Sequence, residues 1–321
     1  MDRIGVLTSG GDAPGMNAHV RAVVRTALKR GVVPVGIRNG FLGLIENDIY
    51  EMTSRDVGSI INRGGTVLGT ARCKQFMEPE GRAIGTENLR KAGIEGLIVC
   101  GGDGSFHGAH HLWKEHGIPV IGTPGTIDND IAGTDFTIGF DTAVNTALDA
   151  VDRIRDTAAS HRRIFVVEVM GRHAGFIALS SAIGGGADAC LVPELTPNIP
   201  QIVEHLRLRF EQGKRFSLVI VAEGTEIGGG IGFMKALENE DLEARLTIIG
   251  HPQRGGSPTA LDREIATLLG CAAVEELLRG GTDLMAGYVS NKVQFSNIDY
   301  SWKFKKPLDM DMYRLLMETS I

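Results

Sequence analysis

The sequence predicts an α/β protein built on doubly wound parallel sheets, and three observations predict it. Short, almost continuously apolar runs that end in glycine or in charge recur along the chain, as is typical of strands buried on both faces. Segments with apolar residues at helical spacing separate these runs, which is the alternation that a parallel sheet requires. With 321 residues, the chain is long enough for about two such domains.

These patterns place the strands and helices in chain order. The apolar runs start at Arg3, Val33, Gly96, Ile118, Arg163, Phe216 and Leu246. Apolar residues at helical spacing predict helices over residues 17–30, 141–159, 201–212 and 261–278. Gly31 is a predicted C-terminal cap of the first helix, and Asp141 is a predicted N-terminal cap of the second.

The composition excludes several classes of function. Lys and Arg together number 33 against 39 Asp and Glu, a net charge of −6, which argues against binding to nucleic acid or to an anionic membrane surface. No apolar run approaches the roughly 20 residues of a membrane span, and the first strand starts too early to leave room for a signal peptide. The four widely spaced cysteines indicate reduced thiols rather than a zinc site, so we expect a cytoplasmic protein.

Two glycine-rich loops follow predicted strands, where the ligands of parallel sheets bind. They read SGGDAPGMN at residues 9–17 and GGDGS at residues 101–105. Their glycines let backbone N–H groups approach a phosphate, and a following helix adds partial positive charge. Asp103 offers one hard oxygen ligand for phosphate-bound Mg²⁺. The alternatives are turns that need glycine for geometry alone and an Asp103 that caps a helix. The G-x-x-x-x-G-K-[ST] and G-x-G-x-x-G patterns are both absent.

An acidic loop, PGTIDND at residues 124–130, follows another predicted strand. A carboxylate at this edge can take a proton from a substrate hydroxyl; metal ligation and capping of the next segment are the alternatives. Because Asp128 and Asp130 are one residue apart on an extended loop, their side chains point in different directions. We therefore expect them to have different roles.

Basic side chains complement these acidic and glycine-rich loops in the second half of the chain. They are Arg163, Arg172, Arg245, Arg254 and His251. Arginine binds phosphate with two parallel hydrogen bonds, although any single arginine can be a solvated surface residue and His251 can equally be a core residue. Glu223 can accept hydrogen bonds from sugar hydroxyls or pair with an arginine. The whole pattern predicts phosphoryl transfer from a nucleotide to a phosphorylated, hydroxylated small molecule, with all of these loops facing one cleft.

The motifs SGGDAPGMN, GTAR, GGDGS, PGTIDND, MGR and GHPQRGGSP occur in this order and resemble those of bacterial ATP-dependent 6-phosphofructokinases over roughly residues 1–300. The resemblance implies two Rossmann-like domains with the active site in the cleft between them. Residues 1–138 with 252–303 would bind ATP, residues 139–251 would bind the sugar phosphate, and residues 304–321 would be a C-terminal extension. It also implies a glycolytic reaction in which MgATP phosphorylates the 1-hydroxyl of fructose 6-phosphate, giving fructose 1,6-bisphosphate and ADP.

The same resemblance implies roles for individual residues. Asp128 would be the general base, Thr126 and Arg172 would contact the transition state or the phosphate region of the substrate, and Asp103 would hold Mg²⁺. The implied ATP-site residues are Gly11, Arg72, Cys73, Gly102, Asp103, Gly104, Ser105 and Gly108. The implied sugar-phosphate residues are Thr126, Ile127, Asp128, Asp130, Arg163, Met170, Gly171, Arg172, Glu223, Arg245, His251 and Arg254.

The resemblance further implies a homotetramer with shared active sites, because Arg163 and Arg245 match arginines that the family supplies from a neighbouring subunit. An effector site for ADP or phosphoenolpyruvate would use Arg21, Arg25, Arg55, Arg155, Asp188 and Lys214. Ser54 and Gln212 stand where basic residues are usual, which weakens this anion site. Cys73 and Met77 stand where the family has an aromatic residue and an arginine near the nucleotide.

The phosphoryl donor is predicted from two glycines. Gly104 and Gly125 stand where pyrophosphate-using relatives typically have Asp and Lys, so ATP is the expected donor. Two alternative functions remain open at the level of sequence. One is a lipid or NAD kinase, which shares the GGDG signature, and the other is a catalytically silent subunit that senses nucleotides.

Overall fold

The computed structural model describes residues 1–158 and 163–320, and these form two compact units. The first unit comprises Met1–Ile127, Ile131–Thr142 and Arg254–Lys306. The second unit comprises Asp128–Asp130, Ala143–Gln253 and the segment from Pro307 onward. The acidic tripeptide 128–130 therefore belongs to the second unit although the residues on both sides of it belong to the first.

The first unit is built on a seven-stranded sheet with the strand order β11-β10-β5-β4-β1-β2-β3. Its strands are β1 (Arg3–Thr8), β2 (Val33–Ile37), β3 (Ile49–Glu51), β4 (Gly96–Gly101), β5 (Val120–Pro124), β10 (Leu284–Val289) and β11 (Lys292–Asn297). The five central strands pair in parallel, whereas β3 and β11 pair antiparallel at the two edges. The sheet is thus doubly wound with antiparallel edge strands, a common variation of parallel sheets.

Helices follow most strands of the first unit. They are α1 (Met16–Lys29), α2 (Phe41–Glu46), α3 (Pro79–Lys91), α4 (Asp103–His116), α9 (Ala260–Leu278) and α10 (Tyr300–Lys303), with a 3₁₀ turn at Gln75–Met77. Helix α5 (Phe140–Ala158) starts in the first unit, and the division between the units falls between Thr142 and Ala143.

The second unit has a four-stranded, all-parallel sheet with the strand order β7-β8-β6-β9. Its strands are β6 (Arg163–Val169), β7 (Ala189–Leu191), β8 (Phe216–Ala222) and β9 (Ala244–Ile248). Its further helices are α6 (Phe176–Gly184), α7 (Ile199–Glu211), α8 (Gly229–Glu238) and α11 (Met310–Thr319), and a 3₁₀ turn spans His251–Arg254.

Burial explains why the strands were visible in the sequence. All six residues of β4 are buried, and six of the seven residues of β8 are buried, because both faces of a central parallel strand are covered. The edge strand β9 buries only its first residue fully. Each sheet therefore carries its own apolar core, around residues such as Phe106 in the first unit and Phe233 in the second.

The α/β prediction with parallel-sheet cores is confirmed, and each of the seven apolar runs contains a strand. Strands β3, β7, β10 and β11 were missed. Strands β3 and β7 have only three residues each, and the edge strand β11 mixes polar with apolar residues. Strand β10 is paired on both sides and carries the apolar run LMAGYV, which the strand prediction omits. The four predicted helices correspond to α1, α5, α7 and α9 within one or two residues at each end, and residue 159 lies outside the described residues.

The predicted cap of α5 is wrong. Asp141 lies inside the first turn of this helix rather than before it. The buried Asp262 of α9 takes the capping role instead: its carboxylate accepts hydrogen bonds from Gly139 N and Thr142 N, both at 2.8 Å. Residues 120 or more positions apart in the chain therefore complete this helix start.

The C-terminal segment divides between the two units. Residues up to Lys306 belong to the first unit, and α11 belongs to the second, where the Tyr313 hydroxyl donates to Cys190 O at 3.1 Å. Within the part of the chain that the structure describes, no helix is both long enough and apolar enough to span a membrane.

Candidate functional site

The loop after β1 brings an arginine against a glycine in the first unit. A Cβ atom on Gly11 would lie 2.4 Å from Arg254 Nη1, so the guanidinium packs directly against this glycine. Arg254 Nη1 also donates to Asp12 O at 3.2 Å. The two predicted site residues Gly11 and Arg254, which are 243 positions apart by their numbers, are therefore neighbours.

Hydrogen bonds tie the segment before Arg72 to the same loop. The Thr70 hydroxyl donates to Gly10 O at 2.6 Å, and the Thr8 hydroxyl donates to Gly69 O at 2.8 Å. Arg72 itself is exposed, whereas Cys73 is half-buried and packs against the core. Hydrogen bonds thus hold the loop after β1 and the GTAR segment at residues 69–72 together.

A buried pair of stacked aromatic rings lies beside Gly108, from residues that were not predicted to belong to the site. The rings of Phe41 and Phe76 stack with centroids 4.1 Å apart. A Cβ atom on Gly108 would lie 3.0 Å from Phe41 and 3.3 Å from Phe76, so Gly108 fits closely against this pair. Arg82 donates to the carbonyl oxygens of Phe76 and Met77 at 3.2 and 2.6 Å and holds the turn in place.

The loop after β4 forms the start of helix α4. Gly102 is its N-cap, Asp103 is its first residue, and the Asp103 carboxylate accepts from Gly104 N at 2.6 Å. Apart from the neighbouring residues and the local helix backbone, no described atom lies within 4 Å of the place where a Cβ of Gly102 or Gly104 would be. Since the positive end of a helix dipole also lies here, the loop is suited to an anion such as a nucleotide phosphate.

The loop after β5 is packed tightly beside it. Gly125 N donates to Gly101 O at 2.9 Å, and a Cβ on Gly125 would lie 2.6 Å from Cys100 Sγ. The Thr126 carbonyl oxygen accepts from the Thr137 hydroxyl at 2.6 Å. The first unit thus brings together the glycine loops, Thr126 and the buried Ile127.

The acidic residues of this loop differ in exposure. Asp128 is buried, with 3% of its surface exposed, whereas Asp130 is exposed. Asn129 between them has the left-handed backbone angle φ 54°, which Asn tolerates better than most residues. The two carboxylates thus occupy different environments.

In the second unit, side chains hold the loop after β6. Glu223 Oε1 accepts from Gly171 N at 3.3 Å and from Arg172 N at 2.9 Å. The side-chain amide oxygen of Gln253 accepts from Met170 N at 2.8 Å. Glu223 was predicted to bind sugar hydroxyls or to pair with an arginine; one of its oxygens in fact supports the backbone of the neighbouring predicted residues. Gln253 was not selected from the sequence at all.

Arg163 and Arg245 lie on the adjacent strands β6 and β9 and share one acidic partner. Glu243 Oε1 lies 3.0 Å from Arg163 Nε and 3.2 Å from Arg245 Nη2. More than half of the Glu243 and Arg245 side chains is exposed, so these ion pairs are weak and exchangeable. Glu243 was missed because a single Glu in an exposed segment carries no sequence signal.

His251 starts the 3₁₀ turn His251–Arg254 and is exposed. The alternative interpretation of His251 as a core residue is therefore wrong. The second unit contains His251, Asp128, Asp130, the two strand arginines and Met170–Arg172. Arg254 belongs to the first unit.

The six residues of the expected effector site are divided between the units. Arg21, Arg25 and Arg55 lie in the first unit. In the second unit the Asp188 carboxylate, which is 1% exposed, accepts from Lys214 and from Leu218 N, and Arg155 donates to Gly185 O. Both oxygens of Asp188 are therefore occupied by this chain itself.

Open glycine-rich loops at the ends of parallel strands are typical of nucleotide-dependent phosphotransferases. More particularly, the chain belongs to the phosphofructokinase family, because the family model described as Phosphofructokinase matches residues 3–277.

Two bacterial relatives share this assignment over 98% or more of their lengths. The chain is 56% identical to the ATP-dependent 6-phosphofructokinase of Bacillus pumilus, covering 100% of both chains. It is 54% identical to ATP-dependent 6-phosphofructokinase 1 of Thermus thermophilus, covering 98% of both. Among solved structures, a phosphofructokinase from Saccharomyces cerevisiae is similar with a TM-score of 0.89 and 36% identity. All of this chain is covered in that comparison, but it spans about half (48%) of the yeast chain.

Proposed function

We propose that this chain transfers the terminal phosphoryl group of ATP to the 1-hydroxyl of fructose 6-phosphate. The single observation that carries the proposal is the joint presence of the open GGDGS helix start, the buried Asp128 and the braced Met170–Arg172 loop in a chain of this family. The names of the full-length relatives give the donor and the acceptor. A lipid or NAD kinase would not require the PGTIDND loop or the arginine set.

The residue roles follow from the chemistry of each group. Asp128 takes the proton of the sugar hydroxyl as it attacks, and a general base contributes about 10²–10⁴-fold to such a reaction. The backbone N–H groups around Gly102 and Gly104 bind ATP phosphates at the start of α4. Thr126 and Arg172 contact the transferring phosphate. Most of the catalysis then comes from positioning and charge neutralisation.

The remaining residues complete the two substrate sites. Gly11, Arg72, Cys73, Asp103, Ser105 and Gly108 belong to the proposed ATP site. Ile127, Asp130, Arg163, Met170, Gly171, Glu223, Arg245, His251 and Arg254 belong to the proposed sugar-phosphate site. Their division into an ATP domain and a sugar-phosphate domain, and a shared cleft, stay predictions.

Family membership implies use of a divalent metal, and we propose Mg²⁺. Within residues 1–158 and 163–320, no group of three or more His, Cys, Asp or Glu side chains could hold a metal ion. This fits Mg²⁺, which usually takes one or two carboxylates and otherwise binds water and substrate phosphates. The exposed Asp103, beside the open glycines, would be the protein ligand. When bound, the ion neutralises charge on the nucleotide phosphates.

The proposal extends to assembly, regulation and location. Arg163 and Arg245, loosely held by Glu243, would reach the substrate of a neighbouring subunit in a homotetramer. ADP or phosphoenolpyruvate would act at Arg21, Arg25, Arg55, Arg155, Asp188 and Lys214, and we expect a weak response because Asp188 is already paired. The four free thiols favour the cytoplasm.

A coupled assay tests the donor and the acceptor together. Fructose 6-phosphate is offered with ATP or with pyrophosphate, and NAD and diacylglycerol are offered with ATP. We expect turnover only with ATP and fructose 6-phosphate, and only with a divalent metal present. ATP binding without turnover on any acceptor would instead indicate a silent nucleotide sensor. The same assay with added ADP or phosphoenolpyruvate measures the effector response.

A further inference from the structure

The loop Met170–Arg172 has a backbone that requires outside support. Gly171 has φ 142° and Arg172 has φ 53°, a left-handed conformation that is uncommon for arginine. A Cβ on Gly171 would lie 2.4 Å from Ala174 O, so this position needs glycine. A residue such as Arg172 is strained in this region, and it persists only where its surroundings hold it.

Two side chains supply that support by binding three consecutive amide groups. Glu223 accepts from Gly171 N and Arg172 N, and Gln253 accepts from Met170 N. A further close approach comes from Gly224, where a Cβ would lie 1.6 Å from Arg172 O. The direction in which the Arg172 side chain leaves the loop is thus set from two sides.

Gln253 has the more demanding of the two positions. Its side chain is fully buried, its carbonyl oxygen accepts from Met170 N at 2.8 Å, and its Nε2 donates to Ala143 O at 3.2 Å. A flipped side-chain amide would place its NH₂ group against Met170 N–H and its oxygen against Ala143 O. The two hydrogen bonds therefore fix the orientation of the amide. Replacing Gln253 would leave a buried N–H and a buried carbonyl oxygen without these partners, which is costly.

We propose that Gln253 is a positioning residue for the sugar phosphate. It lies between the proposed substrate residues His251 and Arg254, but with no exposed surface it cannot contact substrate itself. It acts through Met170 N, by holding the loop that directs Arg172 toward the phosphorylated acceptor. This inference rests on the proposed function, because it assumes that Met170–Arg172 contacts fructose 6-phosphate.

The test variant is Gln253→Met, which keeps a similar length and removes both hydrogen bonds. Because misplacing a substrate-positioning loop by about 1 Å can cost about 100-fold, we expect kcat/KM for fructose 6-phosphate to fall about 10- to 100-fold. The fall should come mainly through KM, with KM for ATP changed by less than about twofold. Gln253→Glu keeps the acceptor for Met170 N, so it should recover part of the loss.

The matched control is Asn88→Leu in α3. Asn88 is also a buried amide with two backbone partners, since its Nδ2 donates to Leu44 O at 2.9 Å and to Ile45 O at 3.0 Å. Its loss should lower thermal stability by a similar amount and leave both KM values unchanged. A purely structural role for Gln253 would make the two variants kinetically alike.

The outcomes separate the inference from the proposed function. Absence of wild-type turnover would remove the proposed function, and the inference with it. Wild-type turnover with a folded Gln253→Met variant of normal KM, or a Gln253→Glu variant as impaired as Gln253→Met, would overturn the inference alone. If neither variant folds, hydrogen exchange on the wild-type protein decides. Slow exchange of the Met170, Gly171 and Arg172 amides supports the inference, and exchange as fast as in exposed loops overturns it.

Discussion

The glycine loops of the first unit and the Met170–Arg172 loop of the second are proposed to bind phosphates in opposite ways. Around Gly102 and Gly104 the space next to the backbone is open to a ligand. In Met170–Arg172, three consecutive N–H groups are already bound by Gln253 and Glu223. The backbone itself is the proposed phosphate ligand in the first case. In the second, the backbone is held by hydrogen bonds, and the guanidinium of Arg172 is the proposed phosphate ligand.

This difference suggests why the two regions tolerate change differently. A backbone site is sensitive to any added side chain that enters the ligand's space, but the fold itself loses little. A ligand-binding side chain on such a held loop depends on other residues that keep the loop in place. The following predictions test this contrast, in order of decreasing effect.

The largest effect is expected from Asp128→Asn, which removes the carboxylate that is proposed as the general base. Loss of a general base should lower kcat by about 10²–10⁴-fold, or about 2.7–5.4 kcal/mol in activation free energy. ATP affinity should change little, because Asp128 acts on the sugar hydroxyl. Steady-state kinetics with an equilibrium ATP-binding measurement checks this, with Asp149→Asn on the exposed face of α5 as the control. A near-normal kcat would remove Asp128 from the role of base.

The next effect concerns the buried Asp262, which anchors the start of α5 within the first unit. Burial raises the pKa of Asp262 from 3.8 to about 6, against the opposing effect of hydrogen bonds from Thr142 and Gly139. Because the folded pKa exceeds the unfolded one, the folded state retains the proton between these values. The contribution to stability is therefore fully present below about pH 3.8 and is lost as the pH rises through about 6.

Denaturant unfolding of the wild type and of Asp262→Asn at several pH values measures this contribution. The difference in unfolding free energy between the two should change by up to about 3 kcal/mol between pH 3.8 and 6. The variant lacks this titration because an amide does not ionise. A difference that is constant across this pH range would show that Asp262 is ionised throughout, held by Gly139 N, Thr142 N and the Thr142 hydroxyl.

A charge at Gly104 tests the open backbone site directly. Since a Cβ at this position would meet no described atom within 4 Å beyond its chain neighbours and the local helix backbone, Gly104→Asp should fold with unchanged thermal stability. Its carboxylate should nevertheless repel the ATP phosphates and raise KM for ATP at least tenfold. Gly104→Asn, which has the same shape without the charge, is the matched control and should have a smaller effect. Equal effects of Asp and Asn would mean that space rather than charge governs the site.

The smallest effect is expected from Arg254→Ala. This arginine packs against Gly11 and donates to Asp12 O, yet it is proposed to bind the sugar phosphate. We expect KM for fructose 6-phosphate to rise about fivefold, which corresponds to about 1 kcal/mol, with KM for ATP unchanged. A rise in KM for ATP alone would show that Arg254 instead braces the nucleotide loop.

The sequence alone determined the parallel-sheet class, seven of the eleven strands found in residues 1–158 and 163–320, and the loops that carry the proposed chemistry. These features are local: an apolar run between glycines and a cluster of carboxylates can be recognised within a few residues. The short or edge strands β3, β7 and β11 could not be found, because their weak apolar patterns acquire meaning only beside a neighbouring strand. The apolar run of β10 was recognisable and was not among the predicted strands.

The tertiary structure decided which side chains support those loops. The cap of α5 by Asp262, the bond of Gln253 to Met170 N and the sharing of Glu243 by two arginines all join residues on different elements. Gln and Glu have no sequence pattern that distinguishes a structural bond from a solvated side chain. Their partners are known only once folding has closed the loops between them, because hydrogen bonds require distances near 3 Å.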